Sequence, residues 1–215
     1  MPKRPGLSPF LGVATLLWII GSILPAAAQQ PTPTSALLSE VRQSFTLAGK
    51  RIPPEIFRDF GDGNLADSQP IWVTVDIRAA IDSNLYADEI GERGGWVIQR
   101  KRLPGTMNGW EETAYSYSGA TDNGLLVVLA AYNGGGSGNF ITLHLLSLEP
   151  APAFDSTGAI YGRINLTNLR SIPLGDRWNG EIHLANNTVR VVTTRKGPAD
   201  QSGKREEMTF EARKP

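Results

Sequence analysis

The chain has 215 residues, and its 21 basic and 21 acidic side chains give a formal net charge of zero at pH 7. It contains no cysteine, which excludes disulfides, thiol nucleophiles, cysteine metal sites and lipoprotein anchoring. Balanced charge argues against a nucleic-acid-binding protein, because such proteins normally carry a basic excess or a basic stripe.

The first 28 residues have the three parts of a secretory signal peptide. Lys3 and Arg4 form a positive region, residues 10–24 (FLGVATLLWIIGSIL) carry no charge, and Ala26–Ala28 supply small residues for cleavage. The apolar run is shorter than the ~20 residues that a membrane-spanning helix needs, which disfavours an uncleaved anchor. We therefore expect cleavage after Ala28, no stable membrane insertion afterwards, and a periplasmic or secreted mature protein.

Residues 29–34 (QQPTPT) are predicted to be a flexible spacer, because they are polar and contain two prolines. Residues 35–215 are predicted to form a single β-rich domain, which begins with a short helical segment. Apolar residues recur there at helical spacing: Leu37, Leu38, Val41 and Phe45. A second short helical turn is predicted after Pro53 and Pro54.

From Ile71 onwards the hydrophobic period changes to two, which is typical of half-buried strands. Strands are predicted at residues 71–78, 96–100, 113–117, 125–132, 140–148, 160–166, 181–185, 188–194 and 208–212. Pro150 and Pro152 are expected to end the strand that begins at Phe140. Many short strands with regular turn signals predict a mainly β protein, an antiparallel β-sandwich or jelly-roll-like fold.

Two hairpins are predicted within this pattern. The most apolar run, residues 125–132 (LLVVLAAY), indicates a central strand covered on both faces. The short loop 133–139 (NGGGSGN) then requires an antiparallel return, because a parallel one needs a crossover of a dozen or more residues. The second hairpin turns at Asn186 and Asn187, since asparagine tolerates the positive φ of tight turns.

The residues that usually carry chemistry are few. His144 and His183 both fall in predicted strand centres and are interpreted as structural or surface residues. His183 shares a strand face with Glu181, so a local hydrogen bond between the two is expected. The glycine-rich loop 133–139 lacks the lysine and helix N-terminus of a phosphate site, and is interpreted as a hairpin loop.

No cofactor and no metal site are predicted. A weaker alternative is a calcium ion held by oxygen side chains around a glycine turn, namely Asp59, Asp62, Asn64 and Asp67. Their spacing does not match the twelve-residue EF-hand loop. A solvated turn explains the same residues, because aspartate and asparagine bond to nearby backbone groups.

Glu111 and Glu112 lie beside Trp110, and acid residues among aromatics are a feature of glycosidases. Adjacent residues of a strand point to opposite faces, so this pair cannot flank one glycosidic bond. A glycan hydrolase would need a second carboxylate from elsewhere, such as Asp76 or Asp176.

The aromatic residues give the leading hypothesis for a site. Trp110 and Trp178 stand in polar, turn-like sequences, and Tyr115 and Tyr117 alternate in the strand after Trp110. Exposed aromatic side chains on a β scaffold stack sugar rings or anchor a partner's side chain. We therefore predict that these four residues form a ligand-binding surface, although tryptophans packed over a sheet end would give the same pattern.

The sequence favours an exported, non-catalytic binding module of the cell envelope, with a glycan or protein ligand and no nucleic-acid partner. The first alternative is an envelope glycan hydrolase that uses a carboxylate pair. The second is a purely structural envelope component.

Overall fold

The computed structural model describes residues 34–60, 72–83, 90–104, 109–194 and 205–214. The predicted signal peptide and residues 29–33 of the predicted spacer lie outside this part of the chain. Within it, no helix has the length and apolar character needed to cross a membrane.

The described residues form three short helices and twelve strands. The helices are α1 (Thr34–Ser44), α2 (Ile56–Asp59) and α3 (Ile77–Asp82). The strands are β1 (Thr46–Leu47), β2 (Lys50–Arg51), β3 (Val73–Asp76), β4 (Ile90–Arg93), β5 (Trp96–Arg102), β6 (Trp110–Ala120), β7 (Leu126–Asn133), β8 (Phe140–Phe154), β9 (Ile160–Asp176), β10 (Gly180–Ala185), β11 (Thr188–Thr194) and β12 (Arg205–Glu211).

The strands form one large antiparallel sheet and two small ones. The large sheet has seven strands in the order β3-β9-β8-β7-β6-β5-β4, so strands β4 to β9 lie beside their neighbours in sequence. A three-stranded sheet has the order β10-β11-β12, and β1 pairs with β2. Every pairing is antiparallel.

The seven-stranded sheet is covered on both faces. On one face it packs against α1, α2 and the start of α3, with a core that includes Val41, Phe45, Ile56, Leu126 and Leu146. On the other face it packs against the three-stranded sheet, with a core that includes Val127, Leu143, Val189 and Val191. The predicted fold class, a mainly β, antiparallel, sandwich-like fold with a short N-terminal helical segment, is confirmed.

Both predicted hairpins are confirmed. All residues from Leu125 to Ala131 are buried, as expected of a strand covered on both faces. Loop 133–139 joins β7 to β8, and the register runs from Leu126 opposite Leu146 to Tyr132 opposite Phe140. In the second hairpin Asn186 takes a positive φ of 54° between β10 and β11.

The prediction of one strand through residues 71–78 is wrong at its end. β3 stops at Asp76, and α3 begins at Ile77. The Asp76 carboxylate accepts a hydrogen bond from the Arg78 backbone N–H at 3.1 Å, so it caps the helix. Ile77 is fully buried at the start of α3, and its alternation with the apolar Val73 and Val75 suggested a strand.

The prediction that Pro150 and Pro152 end their strand is also wrong, because β8 continues to Phe154. β8 pairs with β7 only as far as Leu146, so no strand among the described residues covers that edge of β8 beyond Leu146. The two prolines are separated by one residue, so both lack their N–H on the same side. A proline is tolerated in a strand where its missing donor faces such an edge.

The turn after α1 fixes the position of Phe45. The Glu40 carboxylate accepts hydrogen bonds from Thr46 Oγ1 at 2.8 Å, from the Ala48 N–H at 3.0 Å and from the Gly49 N–H at 2.7 Å. Desolvation opposes the charge of Glu40, but these bonds outweigh it and lower its pKa. Phe45 itself takes a positive φ of 54° and turns its ring into the core.

Candidate functional site

A pocket of about 550 Å³ lies on the helical face of the seven-stranded sheet. It is bounded by α2 on one side and by β6, β7, β8 and β9 beneath. Its lining residues are Phe57, Arg58, Thr113, Ala130, Ala131, Tyr132, Phe140, Ile141, Thr142, His144, Pro173 and Gly175. The lining is mostly apolar with a few polar groups, which is the usual composition of a ligand site.

Aromatic rings form the walls of the pocket. Phe57 is buried, whereas Tyr132 is 39% exposed and Phe140 is 58% exposed. Tyr132 and Phe140 lie directly opposite each other on β7 and β8, so they form one apolar rim. The Arg58 guanidinium lies 5.8 Å from the centre of the Tyr132 ring, within the range of a cation–π contact.

His144 is the most buried polar group of the lining, with 2% of its surface exposed. Its ring packs against Phe57 and Phe60, with ring centres 5.3 Å and 5.8 Å away. Nδ1 of the ring lies 3.1 Å from Ser171 Oγ and 3.4 Å from Asn168 Oδ1. Asn168 Nδ2 in turn donates to Ser171 Oγ at 2.8 Å, so the three side chains form one buried network.

Burial lowers the pKa of His144 to about 4, although the hydrogen bond to Asn168 acts in the opposite direction. The ring is therefore neutral at pH 7 and is a weak base. Ser171 and Asn168 approach the same ring nitrogen, whereas a serine triad places the nucleophile and the orienting group on opposite nitrogens. The network holds the ring in place and does not activate Ser171 as a nucleophile.

Arg58 is the cation of the pocket, and its charge is already balanced. Its Nη1 lies 2.7 Å from Oε1 of Glu111, whose side chain is almost fully buried. An anionic ligand that drew Arg58 away would leave Glu111 charged and without this partner in a poorly solvated position, which is costly. The electrostatics therefore favour a neutral group in the pocket.

Comparisons with known protein families, with curated proteins and with solved structures find no match for this chain. No relative therefore assigns a role to any residue of the pocket.

Two of the four residues predicted to bind a ligand lie under the helices. Tyr115 is 2% exposed, and both Tyr115 and Tyr117 contact Phe45, with ring centres 5.1 Å and 5.3 Å away. The Tyr117 hydroxyl donates to the Arg42 carbonyl at 2.5 Å. Burial raises the pKa of Tyr117 to about 12 and raises that of Tyr115 further.

The two predicted tryptophans lie elsewhere. Trp178 packs against the core between the two sheets, and its Nε1 donates to Thr193 Oγ1 at 2.7 Å. Trp110 is 46% exposed at the first residue of β6. The structure therefore does not bring Trp110, Tyr115, Tyr117 and Trp178 to one surface, because the tyrosines face the helices and Trp178 faces the three-stranded sheet.

The remaining candidates separate in a similar way. Glu111 turns to the helical face, whereas Glu112 binds Arg100 Nε at 2.8 Å, as expected for adjacent strand residues. His183 Nε2 lies 3.1 Å from Glu181 Oε2, which confirms the predicted local pair.

The calcium alternative falls largely outside the described residues. Asp62, Asn64 and Asp67 are not among them, and Asp59 is the last residue of α2. Within the described part of the chain, no three histidine, cysteine, aspartate or glutamate side chains are grouped as a metal site.

Sequence reasoning missed the pocket, although the strand pattern contains a signal. Thr113, Thr142 and His144 are polar residues on strand faces whose other members are mainly apolar. Polar residues at such positions indicate a place where the core is interrupted. The pairing of the strands was needed to show that the three lie around one pocket.

Proposed function

We propose that this protein is an exported, non-catalytic binding module of the cell envelope, and that its ligand enters the pocket beside α2. The observation that carries the proposal is a pocket of about 550 Å³ with aromatic walls and few polar groups. This volume lies within the ordinary range for ligand sites, roughly 300–1,000 Å³. The partner is an envelope glycan or a protein, and the balanced charge argues against nucleic acid.

The chemistry of the lining supports a neutral, mainly apolar ligand group. Phe57, Tyr132 and Phe140 offer aromatic surface to a sugar ring or to an apolar side chain. His144 is a neutral polar group in this lining, so a ligand can hydrogen-bond to its ring without meeting a charge. The Arg58–Glu111 pair leaves no uncompensated charge for an anion to neutralise.

A glycan hydrolase is less well supported. It requires two carboxyl groups about 5–10 Å apart around one bond. Glu111 is held by Arg58, and Glu112 lies on the other face of the sheet with Arg100. A purely structural role does not account for the pocket.

The proposed export predicts where the mature chain begins. When the protein is expressed in a cell that has a secretory pathway, we expect the envelope fraction to contain a chain that begins at Gln29. Its intact mass measures where the chain begins. Ala28→Arg should abolish processing because the last residue before the cut must be small. Ala27→Arg is the matched control, since the middle residue of the A-x-A pattern is unrestricted. A full-length chain from Met1 in the cytosol, with no processed form, would contradict export.

Filling the pocket should abolish binding. Thr142 lines the pocket and is half-buried, so Thr142→Trp places an indole in the cavity without removing a core residue. We expect the affinity for N-phenylnaphthylamine, a neutral probe that fluoresces in apolar surroundings, to fall by about tenfold or more. Fluorescence titration measures the change, and soluble glycans and peptides can then be tested as competitors.

The matched control is Thr209→Trp, which adds the same side chain at an exposed position on β12. It should leave the affinity for the probe unchanged. Equal affinities in the wild type and Thr142→Trp would place the binding outside this pocket. Absence of probe binding to the wild type would contradict the proposed function.

A further inference from the structure

Three uncharged polar side chains of the pocket have hydrogen-bonding atoms that the protein itself does not use. They are Thr113 on β6 and Thr142 and His144 on β8. Among the described residues, nothing bonds to either threonine hydroxyl, and the side-chain bonds of His144 all go to Nδ1, which leaves Nε2 without a partner. Unpaired polar groups in a buried position cost free energy, so these atoms favour a ligand that supplies partners for them.

The three groups lie at different depths below an aromatic rim. Phe140, Thr142 and His144 occupy alternate positions on one face of β8, and alternate residues of a strand are about 6.5–7 Å apart. The exposed fraction falls from 58% at Phe140 to 2% at His144. Thr113 lies directly opposite Tyr132, which lies opposite Phe140. A ligand therefore meets hydrogen-bonding groups both near the rim and at the inner end of the pocket.

The pocket offers these groups without an unpaired charge. Arg58 is the one formally charged residue among the described lining residues, and it is bound to the buried Glu111 carboxylate at 2.7 Å. His144 is neutral at pH 7, because burial lowers its pKa to about 4. The lining thus suits a ligand that forms several hydrogen bonds and carries no charge itself.

The backbone of the pocket floor is largely closed to a ligand. At the level of the pocket β6, β7 and β8 each pair with a neighbouring strand on both sides. An extended peptide therefore cannot bind to these three strands by strand addition, which is a common way for a sheet to bind peptides. Recognition on this floor depends on side chains.

A sugar ring without a charge has the chemistry that this lining complements. Its C–H faces pack against aromatic rings, while the hydroxyls around its edge both donate and accept hydrogen bonds. A hydroxyl suits His144 whichever ring nitrogen carries the proton, because it can take either role. An apolar side chain of a protein would leave all three polar groups unpaired, and a tyrosine would bring one hydroxyl for three groups.

We propose that the pocket binds an uncharged glycan, whose sugar rings pack against the aromatic walls and one of whose hydroxyls bonds to His144 Nε2. This inference rests on the proposed function, because it names the ligand class of the same pocket. It assigns the choice between sugars and other neutral ligands to Thr113, Thr142 and His144. Sugar acids are disfavoured, because a carboxylate would compete with Glu111 for Arg58.

Isothermal titration calorimetry of the mature chain with uncharged oligosaccharides tests the proposal. The probes are cellotriose, laminaritriose, maltotriose, mannotriose and tri-N-acetylchitotriose, and we expect at least one of them to bind. The sugar that binds most tightly is then oxidised at its primary hydroxyls to carboxylates, and this anionic form should bind about tenfold more weakly or worse. Absence of binding by all five sugars, or equal affinity for the oxidised form, would overturn the proposal.

Two substitutions remove single hydrogen-bonding groups from the pocket. His144→Phe keeps an aromatic ring beside Phe57 and Phe60 but removes Nε2, and Thr142→Val keeps the shape of the side chain but removes its hydroxyl. Each should weaken sugar binding roughly three- to tenfold, the effect of one hydrogen bond. Thr209→Val, at an exposed position on β12, is the matched control and should bind as the wild type does.

Sugars that lack one hydroxyl locate the contact. Among the monodeoxy derivatives of the bound sugar, one should bind the wild type several-fold more weakly than the parent sugar, yet bind His144→Phe as well as the parent sugar does. Such coupling identifies a direct contact, because a general loosening of the pocket would weaken all derivatives alike. If every derivative responds equally in both proteins, His144 makes no contact with the ligand. Thr142→Val decides the role of the hydrogen-bonding groups even where His144→Phe is unstable.

Probe binding separates this inference from the proposed function. A wild type that binds N-phenylnaphthylamine but none of the sugars overturns the glycan alone and leaves the pocket as a ligand site. Displacement of the probe by N-acetyltyrosinamide, with no displacement by any sugar, would overturn it in favour of a protein side chain. A wild type that binds neither the probe nor a sugar overturns both.

Discussion

Replacing Phe45 with alanine is expected to lower the free energy of unfolding by about 3–5 kcal/mol. The Phe45 side chain is fully buried and contacts the rings of Phe57, Tyr115 and Tyr117. It therefore fastens the helical layer to the seven-stranded sheet, and its removal leaves a cavity at that junction. Urea unfolding followed by tryptophan fluorescence measures the loss.

Phe140→Ala is the matched control, because it makes the same substitution at a position where the ring is 58% exposed. Its cost should stay within about 0.5 kcal/mol, as is usual for surface substitutions. Phe45→Gly gives a second comparison. Phe45 has a positive φ of 54°, which glycine adopts without strain, so glycine should be no worse than alanine there. Equal losses for Phe45→Ala and Phe140→Ala would contradict this account of the core.

Acidification from pH 6.5 to pH 4 is expected to cost about 3 kcal/mol of stability through His144 alone. Burial lowers its folded pKa to about 4, whereas an unfolded histidine titrates near 6.5. The unfolded chain therefore binds the proton first as the pH falls. The contribution of His144 is complete above pH 6.5, decreases between pH 6.5 and pH 4, and changes no further below pH 4.

Unfolding curves of the wild type and His144→Gln, recorded across this pH range, test the prediction. The variant should be less stable than the wild type at pH 7, but its free energy of unfolding should change less with pH between pH 6.5 and pH 4. Thr209→Gln is the control, because Thr209 is exposed and carries no titratable group, so this change should preserve the wild-type dependence. The carboxyl pKa values of Glu40 and Asp155 are lowered. Their contributions to the pH dependence of stability therefore fall at lower pH than that of His144. An unchanged slope in His144→Gln would contradict the prediction.

Most of the sheet was predictable because side-chain period and turn residues are local properties. The run 125–132 and loop 133–139 specify a hairpin from short-range pattern alone. The errors at Pro150 and Ile77 have a common cause. Whether Pro150 is tolerated depends on where the neighbouring strand ends, and whether Ile77 starts a helix depends on a cap by Asp76 that alternation does not reveal.

The candidate site was harder to predict because exposure depends on what covers each face. Tyr115 and Tyr117 alternate as surface residues would, but the N-terminal helices lie over them. His144 appeared to be a structural residue, and its network with Asn168 and Ser171 does fix it in place. Its position in a pocket follows from the pairing of four strands and from α2, which no single segment encodes.

The strand order also determines when each strand can find its partner, because the chain is made from the N-terminus onwards. Strands β4 to β9 each pair with the next strand made, so this meander forms from nearby segments, which favours rapid folding. β3 is different, because Val73 must wait for Asn168, almost a hundred positions later. During that interval β3 has no partner, and its unpaired edges are open to aggregation or to a chaperone.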